Sequence, residues 1–206
     1  MIVVLTAVAF LSGSLMFSYW LGLWARHNLR LVGDGNPGAL NLWKASGYKL
    51  GLAGIVLDFG KGYVPVLLVL ALGHDYVSGL GIVPVALAPI TGHAFSPFLQ
   101  GKGGKAIAVT FGVWSALTRF EVSLAYAVIL AVLLAVSRWI AKGRTTSEAD
   151  GLQVVGGLLL VGGYVWLRAF PVEIGWVWLG SFLLLSYTHR AELTRWWRRR
   201  RNRRLI

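Results

Sequence analysis

Two glycine-rich polar segments stand out in a chain that is otherwise apolar, and both carry groups that can bind phosphate. The first contains Asn36, Gly38 and Asn41, followed closely by Lys44. Glycines let consecutive backbone N–H groups point at one spot, while the asparagines add donors and the lysine adds charge. A phosphate site is therefore one interpretation. A simple turn is the other, because glycine and asparagine are common turn residues.

The second segment begins at His93 and ends in Lys102, Gly103, Gly104 and Lys105. Two ammonium groups with a flexible backbone between them, placed before an apolar helix, favour an anion. The other interpretation is that these lysines lie at the end of a membrane-spanning helix and keep their ammonium groups in water, without binding a ligand. His93 suits either a substrate contact or a structural hydrogen bond.

Asp58 and Lys61 form a third cluster, inside an apolar stretch. A helix brings residues three apart to one face, where these two side chains can pair. Charged groups within a membrane are costly, so they usually face the interior of the helix bundle or a polar cavity. A structural ion pair and a contribution to a site both remain open.

The elements that position these groups are predicted to be membrane helices. Only 14% of the 206 residues are charged and the mean hydropathy is +0.66, whereas a soluble domain has about a quarter charged residues. We predict an all-α polytopic integral membrane protein with about seven transmembrane helices. The apolar stretches are 2–24, 50–72, 77–91, 106–118, 121–141, 152–168 and 172–188. Some are shorter than about 17 residues, so six spans remain an alternative.

Charge asymmetry predicts the orientation. The connections 25–49, 92–105 and 138–150 and the C-terminal end are rich in Lys and Arg, whereas 73–76, 119–121 and 168–173 hold few such residues. By the positive-inside rule, the N-terminus lies outside, and both glycine-rich segments lie in the cytoplasm. The expected location is the cell inner (plasma) membrane, with one membrane-embedded domain at 1–189 and an Arg-rich cytoplasmic tail at 190–206.

The net charge of +12 is concentrated in that tail. In a soluble protein it would indicate nucleic acid, but here the arginines follow an apolar stretch, so anionic lipid headgroups are the expected partner. No nucleic-acid partner is expected, and no protein partner is identifiable. The absence of cysteine excludes disulfides, thiolate metal sites and cysteine nucleophiles. Small residues allow close helix packing in lipid, and this role is predicted for Gly156, Gly157, Gly162 and Gly163.

Together the polar segments resemble the bacterial acyl-phosphate:glycerol-3-phosphate acyltransferases, the PlsY family. The resemblance covers at least residues 33–110. The residues that carry it are Gly35-Asn36-Pro37-Gly38-x-x-Asn41, Asp58-x-x-Lys61-Gly62-x-x-Pro65, and Gly92-His93-x-Phe95 through Lys102-Gly103-Gly104-Lys105.

The resemblance implies transfer of a fatty acyl group from acyl phosphate, the co-substrate, to the 1-hydroxyl of glycerol 3-phosphate, forming lysophosphatidic acid. It implies neither a metal nor another cofactor. No serine lies in a recognisable nucleophile elbow, so direct transfer is the expected mechanism. The expected catalytic residues are His93 and Lys105. The expected substrate-binding residues are Asn36, Gly38, Asn41, Lys44, Lys102, Gly103, Gly104, His189 and Arg190.

The chain departs from the family pattern at several polar positions. The family has serine, threonine, arginine and asparagine where this chain has Asp34, Leu40, Lys44 and Glu192. A further Arg-Tyr-Val-Ser-like motif aligns best with 138–141, where the serine is missing. Ser123 lies in a similar motif but follows a predicted outside turn, so it is not assigned to the site.

Asp34 is the departure with the largest chemical consequence, because a carboxylate repels phosphate unless it is protonated or paired. Three explanations are open: it points away, it pairs with Lys44 or another cation, or the acceptor differs from glycerol 3-phosphate. The alternatives to the main hypothesis are therefore acylation of another acceptor, or a non-catalytic binder or transporter of an anionic lipid or metabolite.

Overall fold

The computed structural model describes residues 1–72, 77–143 and 146–202, which form helices and turns only. The predicted connection 73–76, the basic residue Arg144 and the last residues of the predicted tail, 203–206, lie outside this description. The helices are α1 (Ile2–Ser14), α2 (Phe17–Trp24), α3 (Ala39–Leu72), α4 (Ile82–Ala94), α5 (Ile107–Leu117), α6 (Glu121–Ile140), α7 (Ser147–Leu167), α8 (Val172–Thr188) and α9 (Arg190–Asn202).

Among the described residues, five segments are long and apolar enough to cross a membrane: Ile2–Trp24, Ala39–Leu72, Gly79–Leu99, Glu121–Ile140 and Ser147–Leu167. Each of the seven predicted apolar stretches falls on a helix, but α5 and α8 have only 11 and 17 residues. The prediction of an all-α, multi-pass membrane protein is confirmed. The count of seven spans stays a prediction.

The first span is bent between α1 and α2, and polar side chains from other segments stabilise the bend. Leu15 is extended (φ −63°, ψ 123°), which ends α1. Lys61 donates a hydrogen bond to the carbonyl of Leu15, and Ser96 Oγ donates to the carbonyl of Ser14 at 2.7 Å. Lys61 Nζ also lies 2.9 Å from Asp58 Oδ1, with both side chains buried. Backbone groups must be satisfied in lipid, so this ion pair has a structural role.

Glycines allow the closest helix crossings. Where α3 crosses α5, a Cβ atom on Gly62 would lie 2.4 Å from the carbonyl oxygen of Val109, and one on Gly112 would lie 2.1 Å from that of Phe59. Real Cβ atoms do not approach so closely, so larger residues would force these helices apart. The loop before α5 is therefore positioned by tight packing of α5 against α3.

The predicted packing glycines of α7 divide into two groups. Gly157 faces Leu130 of α6, and Gly162 faces Trp178 of α8, so their predicted packing role is confirmed. The prediction is wrong for Gly156 and Gly163, because a Cβ atom at either position would meet no other atom within 4 Å.

The helix α3 begins earlier than the predicted span at 50–72. Gly47 (φ 84°, ψ 175°) interrupts it and separates a short helical segment, 39–46, from the long segment 48–72. A left-handed φ suits glycine because it has no Cβ atom. The short segment carries Asn41 and Lys44, and the break lets it follow a direction different from that of the membrane span.

Candidate active site

Asp34 and Asn41 organise the first glycine-rich loop. Gly33 and Gly35 have positive φ angles of 57° and 74°, which lets the chain turn tightly around Asp34. Asp34 Oδ1 accepts hydrogen bonds from the backbone N–H of Asn36 at 3.2 Å and from Asn41 Nδ2 at 2.8 Å. Asn41 Nδ2 also donates to the carbonyl of Asn36 at 3.0 Å. The loop is thus a hydrogen-bonded turn that aspartate suits well.

The second loop packs onto the end of α4 through its glycines. The N–H groups of Gly103 and Gly104 donate to the carbonyls of Ala94 and His93, each at 3.0 Å. A Cβ atom on Gly104 would lie 2.4 Å from His93 Nε2. These backbone donors are therefore used within the chain in this structure, although they were expected to contact substrate.

Lys105 joins the two loops and the C-terminal helix. Its Nζ lies 2.6 Å from Asp34 Oδ2 and 2.9 Å from Glu192 Oε1. Its backbone N–H donates to Asn36 Oδ1 at 3.1 Å, and its carbonyl accepts from Thr188 Oγ1 at 3.2 Å. Four segments of the chain therefore fix the position of this ammonium group.

The same contacts set the charge states of the pair. Burial raises the pKa of the Asp34 carboxyl, but the hydrogen bond and charge of Lys105, together with the hydrogen bonds from Asn41 and Asn36, outweigh burial and lower that pKa from 3.8 to about 2. Burial lowers the pKa of Lys105, but the hydrogen bonds to Asp34 and Glu192 raise it above its usual value. Asp34 is therefore ionised and paired at neutral pH. Of the three explanations offered by the sequence, pairing holds, with Lys105 rather than Lys44 as the cation.

Two cavities meet at this lysine. A polar cavity of about 420 Å³ is lined by Asp34, Lys44 and His189, among others. A more apolar cavity of about 500 Å³ is lined mainly by apolar side chains such as Trp43 and Phe59, and Asp58 is among its polar lining residues. Both cavities share the lining residues Asn36, Leu40, Lys105 and Ile107. The arrangement can hold charged groups on one side of Lys105 and an apolar chain on the other.

The structure brings most of the expected site residues to these cavities. Asn41, Lys44 and His189 line the polar cavity, and Gly38 and His93 line the apolar one. Lys102 is exposed and, with Gly103 and Gly104, lies outside the lining of both. The Arg190 guanidinium also lies outside both linings, because it stacks 4.0 Å from the ring centre of Tyr187 and donates to that residue's carbonyl.

His93 and His189 are both buried, at 4% and 1% exposure. His93 is among the residues that line the apolar cavity, and its buried Nδ1 has no hydrogen-bond partner among the described residues. His189 Nδ1 lies 2.9 Å from the carbonyl of Leu185, which leaves Nε2 as the remaining acceptor. Burial lowers the pKa of His189, so its imidazole is neutral at pH 7.

Asp34, Glu192 and Arg195 are charged residues of the site that were not assigned to it from the sequence. Glu192, at 4% exposure, lies on α9, and Arg195 of the same helix lines the polar cavity. The sequence did contain a signal for Asp34 and Glu192, because acidic side chains at polar positions are unusual in a chain with a net charge of +12. Ser123 lies elsewhere, since its hydroxyl contacts Ser115 at 2.8 Å toward the end of α5 that is remote from Lys105.

These features define a polytopic membrane protein in which a polar and an apolar cavity meet at one lysine. The family model described as glycerol-3-phosphate acyltransferase matches residues 3–199. Glycerol-3-phosphate acyltransferase 1 of Thermotoga maritima is 38% identical over 93% of this chain and 96% of its own length. The glycerol-3-phosphate acyltransferase of Myxococcus xanthus is 34% identical over 95% of each chain.

Solved structures agree with the sequence relatives. The crystal structure of PlsY (YgiH), an integral membrane glycerol 3-phosphate acyltransferase, in its glycerol 3-phosphate form has a TM-score of 0.82 and 27% identity. The match covers 97% of this chain and 93% of that chain. The lysophosphatidic acid form gives a TM-score of 0.80. The chain belongs to the glycerol-3-phosphate acyltransferase family, and it is an integral membrane acyltransferase. The family resemblance in the sequence is thereby confirmed.

Proposed function

We propose that this protein transfers a fatty acyl group from acyl phosphate to the 1-hydroxyl of glycerol 3-phosphate and releases lysophosphatidic acid. The observation that carries the proposal is the position of Lys105, whose side chain borders both cavities. The similar PlsY structures have a glycerol 3-phosphate form and a lysophosphatidic acid form, an acceptor and a product that match this reaction.

The two cavities suit the two parts of the reaction. The apolar cavity, bordered by Trp43, Phe59 and Phe111, fits the acyl chain. The polar cavity fits the acceptor, with Lys44 as a cation that has no carboxylate within salt-bridge distance among the described residues. Lys44, His189 and Asn41 would bind the phosphate and hydroxyl groups of glycerol 3-phosphate.

The transfer itself needs no covalent enzyme intermediate. The acceptor hydroxyl oxygen attacks the acyl carbonyl carbon, the bond between that carbon and the phosphate oxygen breaks, and the phosphate leaves with the electron pair. The hydroxyl proton leaves with the phosphate. Acyl phosphate is a mixed anhydride, so holding the reactants together and stabilising the developing negative charge can supply most of the catalysis. Lys105 is the positive group placed to stabilise the departing phosphate.

The proposed location is the inner membrane, with the two loops and α9 in the cytoplasm. Basic residues are concentrated in the loop before α5, at the end of α6 and in α9. The turn between α5 and α6 lies at the opposite end of α5 and holds few basic residues. This distribution agrees with the positive-inside rule.

Purified full-length protein incubated with palmitoyl phosphate and glycerol 3-phosphate tests the proposal, with the product identified by mass spectrometry. Lysophosphatidic acid should form without added metal and in the presence of a chelator. Palmitoyl thioesters of coenzyme A and of acyl carrier protein should not replace palmitoyl phosphate. A thioester as the better donor would overturn the proposed donor. Acylation of glycerol but not of glycerol 3-phosphate would overturn the acceptor and favour the alternative in which Asp34 serves an unphosphorylated acceptor.

A further inference from the structure

A third concave surface lies on the opposite side of α7 from the polar cavity. This groove, of about 540 Å³, runs between α6 and α7, and Trp196 of α9 closes one end. It shares no lining residue with the two cavities at Lys105. Its volume lies within the range of about 300–1,000 Å³ that is common for small-molecule sites.

The groove has an apolar body and a cationic rim. Val136, Ile140 and Leu160 line it and are 47%, 70% and 54% exposed. At the rim, the guanidinium of Arg200 lies 5.2 Å from the ring centre of Trp196. The amide Nε2 of Gln153, another lining residue, is buried without a hydrogen-bond partner among the described residues.

The arginines at this rim are only partly neutralised by the acidic side chains of the described residues. Glu148 lies 3.6 Å from Arg195 and 3.3 Å from Arg199, and Glu192 lies 3.4 Å from Arg195. Within residues 146–202, Arg198, Arg200 and Arg201 have no carboxylate in salt-bridge distance, and all three are exposed. Arg138 and Lys142, at the end of α6 beside the groove, add further positive charge.

We propose that the groove binds an anionic glycerophospholipid of the bilayer. One acyl chain lies between α6 and α7, and the lipid phosphate lies against Arg200 at the rim. An apolar slot that runs from the membrane surface into the span fits a lipid chain, and an unpaired guanidinium beside an aromatic ring fits a phosphate headgroup. Gln153 Nε2 supplies a donor for an oxygen of the glycerol backbone. The helix α9 then contributes to two sites, through Arg195 to the polar cavity and through Trp196 to the groove.

Open space beside Gly156 allows the groove to be filled without disturbing the fold. Gly156 lines the groove, and a Cβ atom there would meet nothing within 4 Å. Gly156→Phe places a ring in the space proposed for the acyl chain. Gly163→Phe is the matched control, because Gly163 lies on the same helix, has equally open surroundings and is not a lining residue.

Native mass spectrometry of the full-length protein measures the affinities for phosphatidylglycerol and phosphatidylcholine with identical acyl chains. The wild type and Gly163→Phe should bind phosphatidylglycerol at least about fivefold more tightly, and Arg200→Gln should remove about that factor. Gly156→Phe should abolish the preference while its thermal unfolding stays close to that of the wild type. Should Gly156→Phe not fold, Val136→Trp, on the exposed face of α6, fills the same groove.

Three results would overturn the proposal. They are equal affinity of the wild type for the two lipids, wild-type lipid binding by the groove-filling variant, and complete displacement of phosphatidylglycerol by millimolar inorganic phosphate. The last would indicate an ion site at the arginines without a lipid.

Discussion

The ammonium group of Lys105 lies 2.9 Å from the carboxylate of Glu192, and this ion pair joins the loop before α5 to the C-terminal helix. Asp34 is a second carboxylate on the same ammonium, at 2.6 Å. An ammonium has three N–H donors, so two are used by the protein and one remains for a substrate oxygen. Glu192 is also paired with Arg195, at 3.4 Å, whereas the Asp34 carboxylate lines the polar cavity, where it repels an anionic substrate while it orients Lys105.

Neutralising Asp34 should therefore improve binding of a phosphorylated acceptor. A like charge about 4 Å away costs about 4 kcal/mol at an effective dielectric near 20 before screening. Asp34 is partly exposed, so the gain will be smaller. Asp34→Asn keeps an acceptor for Asn41 and should lower the KM for glycerol 3-phosphate by roughly three- to tenfold, with kcat little changed because Glu192 still holds Lys105. A raised KM would show that Asp34 contacts the acceptor favourably.

Removing both carboxylates should have a different effect. In Asp34→Asn combined with Glu192→Gln, Lys105 loses both charged partners and becomes mobile, so kcat should fall by more than the product of the two single effects. Residues that share a partner typically couple by about 0.5–3 kcal/mol. Asp150→Asn is the matched control, because Asp150 lines the same cavity but has no ion pair with Lys105. Strictly multiplicative effects would contradict a shared role in positioning Lys105.

The sequence predicted the membrane class and most of the residues around the cavities, because apolar length and the glycine-rich motifs are local signals. It could not predict how Asp34 is paired, since its partner Lys105 lies 71 positions away. It also treated the chain after residue 189 as a tail, because a run of arginines is typical of a solvated segment. The ion pair between Glu192 and Lys105 places α9 beside the site, where Arg195 lines the polar cavity, and only the three-dimensional packing shows this.

The buried pair Asp58–Lys61 should govern stability. Lys61→Met leaves an unpaired buried carboxylate and an unsatisfied carbonyl at Leu15, so it should destabilise the fold by about 3–5 kcal/mol. Adding Asp58→Leu removes the unpaired charge and should recover part of that loss. Thermal unfolding in detergent measures both variants. If the loss of stability in the double variant equalled the sum of the losses in Lys61→Met and Asp58→Leu alone, the structural role assigned to the pair would be contradicted.

Between pH 7 and pH 5, His189 should contribute to the pH dependence of stability, whereas the Asp34–Lys105 pair should not. Because the pKa of Asp34 is lowered to about 2, its contribution is present above pH 3.8 and is lost only as the pH falls toward 2. The raised pKa of Lys105 means that its contribution persists to pH 10.5 and is lost above that value. The lowered pKa of His189 means that stability is present above pH 6.5 and declines below it.

Thermal unfolding between pH 7 and pH 5 measures the histidine effect. The unfolding temperature of the wild type should fall across this range, and His189→Gln should show a shallower slope, with the remaining slope due to other groups. Equal slopes for the two proteins would contradict the neutral, buried state of His189.

The absence of cysteine makes the topology directly testable, since single-cysteine variants have no background labelling. Lys102→Cys and Lys142→Cys, both at exposed positions, should react with an impermeant maleimide only from the cytoplasmic side. Arg168→Cys should react only from outside. Arg168 pairs with Glu121, and both residues lie at the ends of α7 and α6 that face away from the proposed cytoplasmic side. Outside labelling of Lys102→Cys would contradict the cytoplasmic site.

The most direct test of the account is the rate of lysophosphatidic acid formation from palmitoyl phosphate and glycerol 3-phosphate by wild type, Lys105→Ala and Lys102→Ala. Losing a strong electrostatic donor costs about 2–4 kcal/mol of transition-state stabilisation. Lys105→Ala should therefore be at least about a hundredfold slower while remaining folded. Lys102→Ala, on the same loop but outside both cavities, should stay close to the wild type. Near-full activity of folded Lys105→Ala would contradict the account.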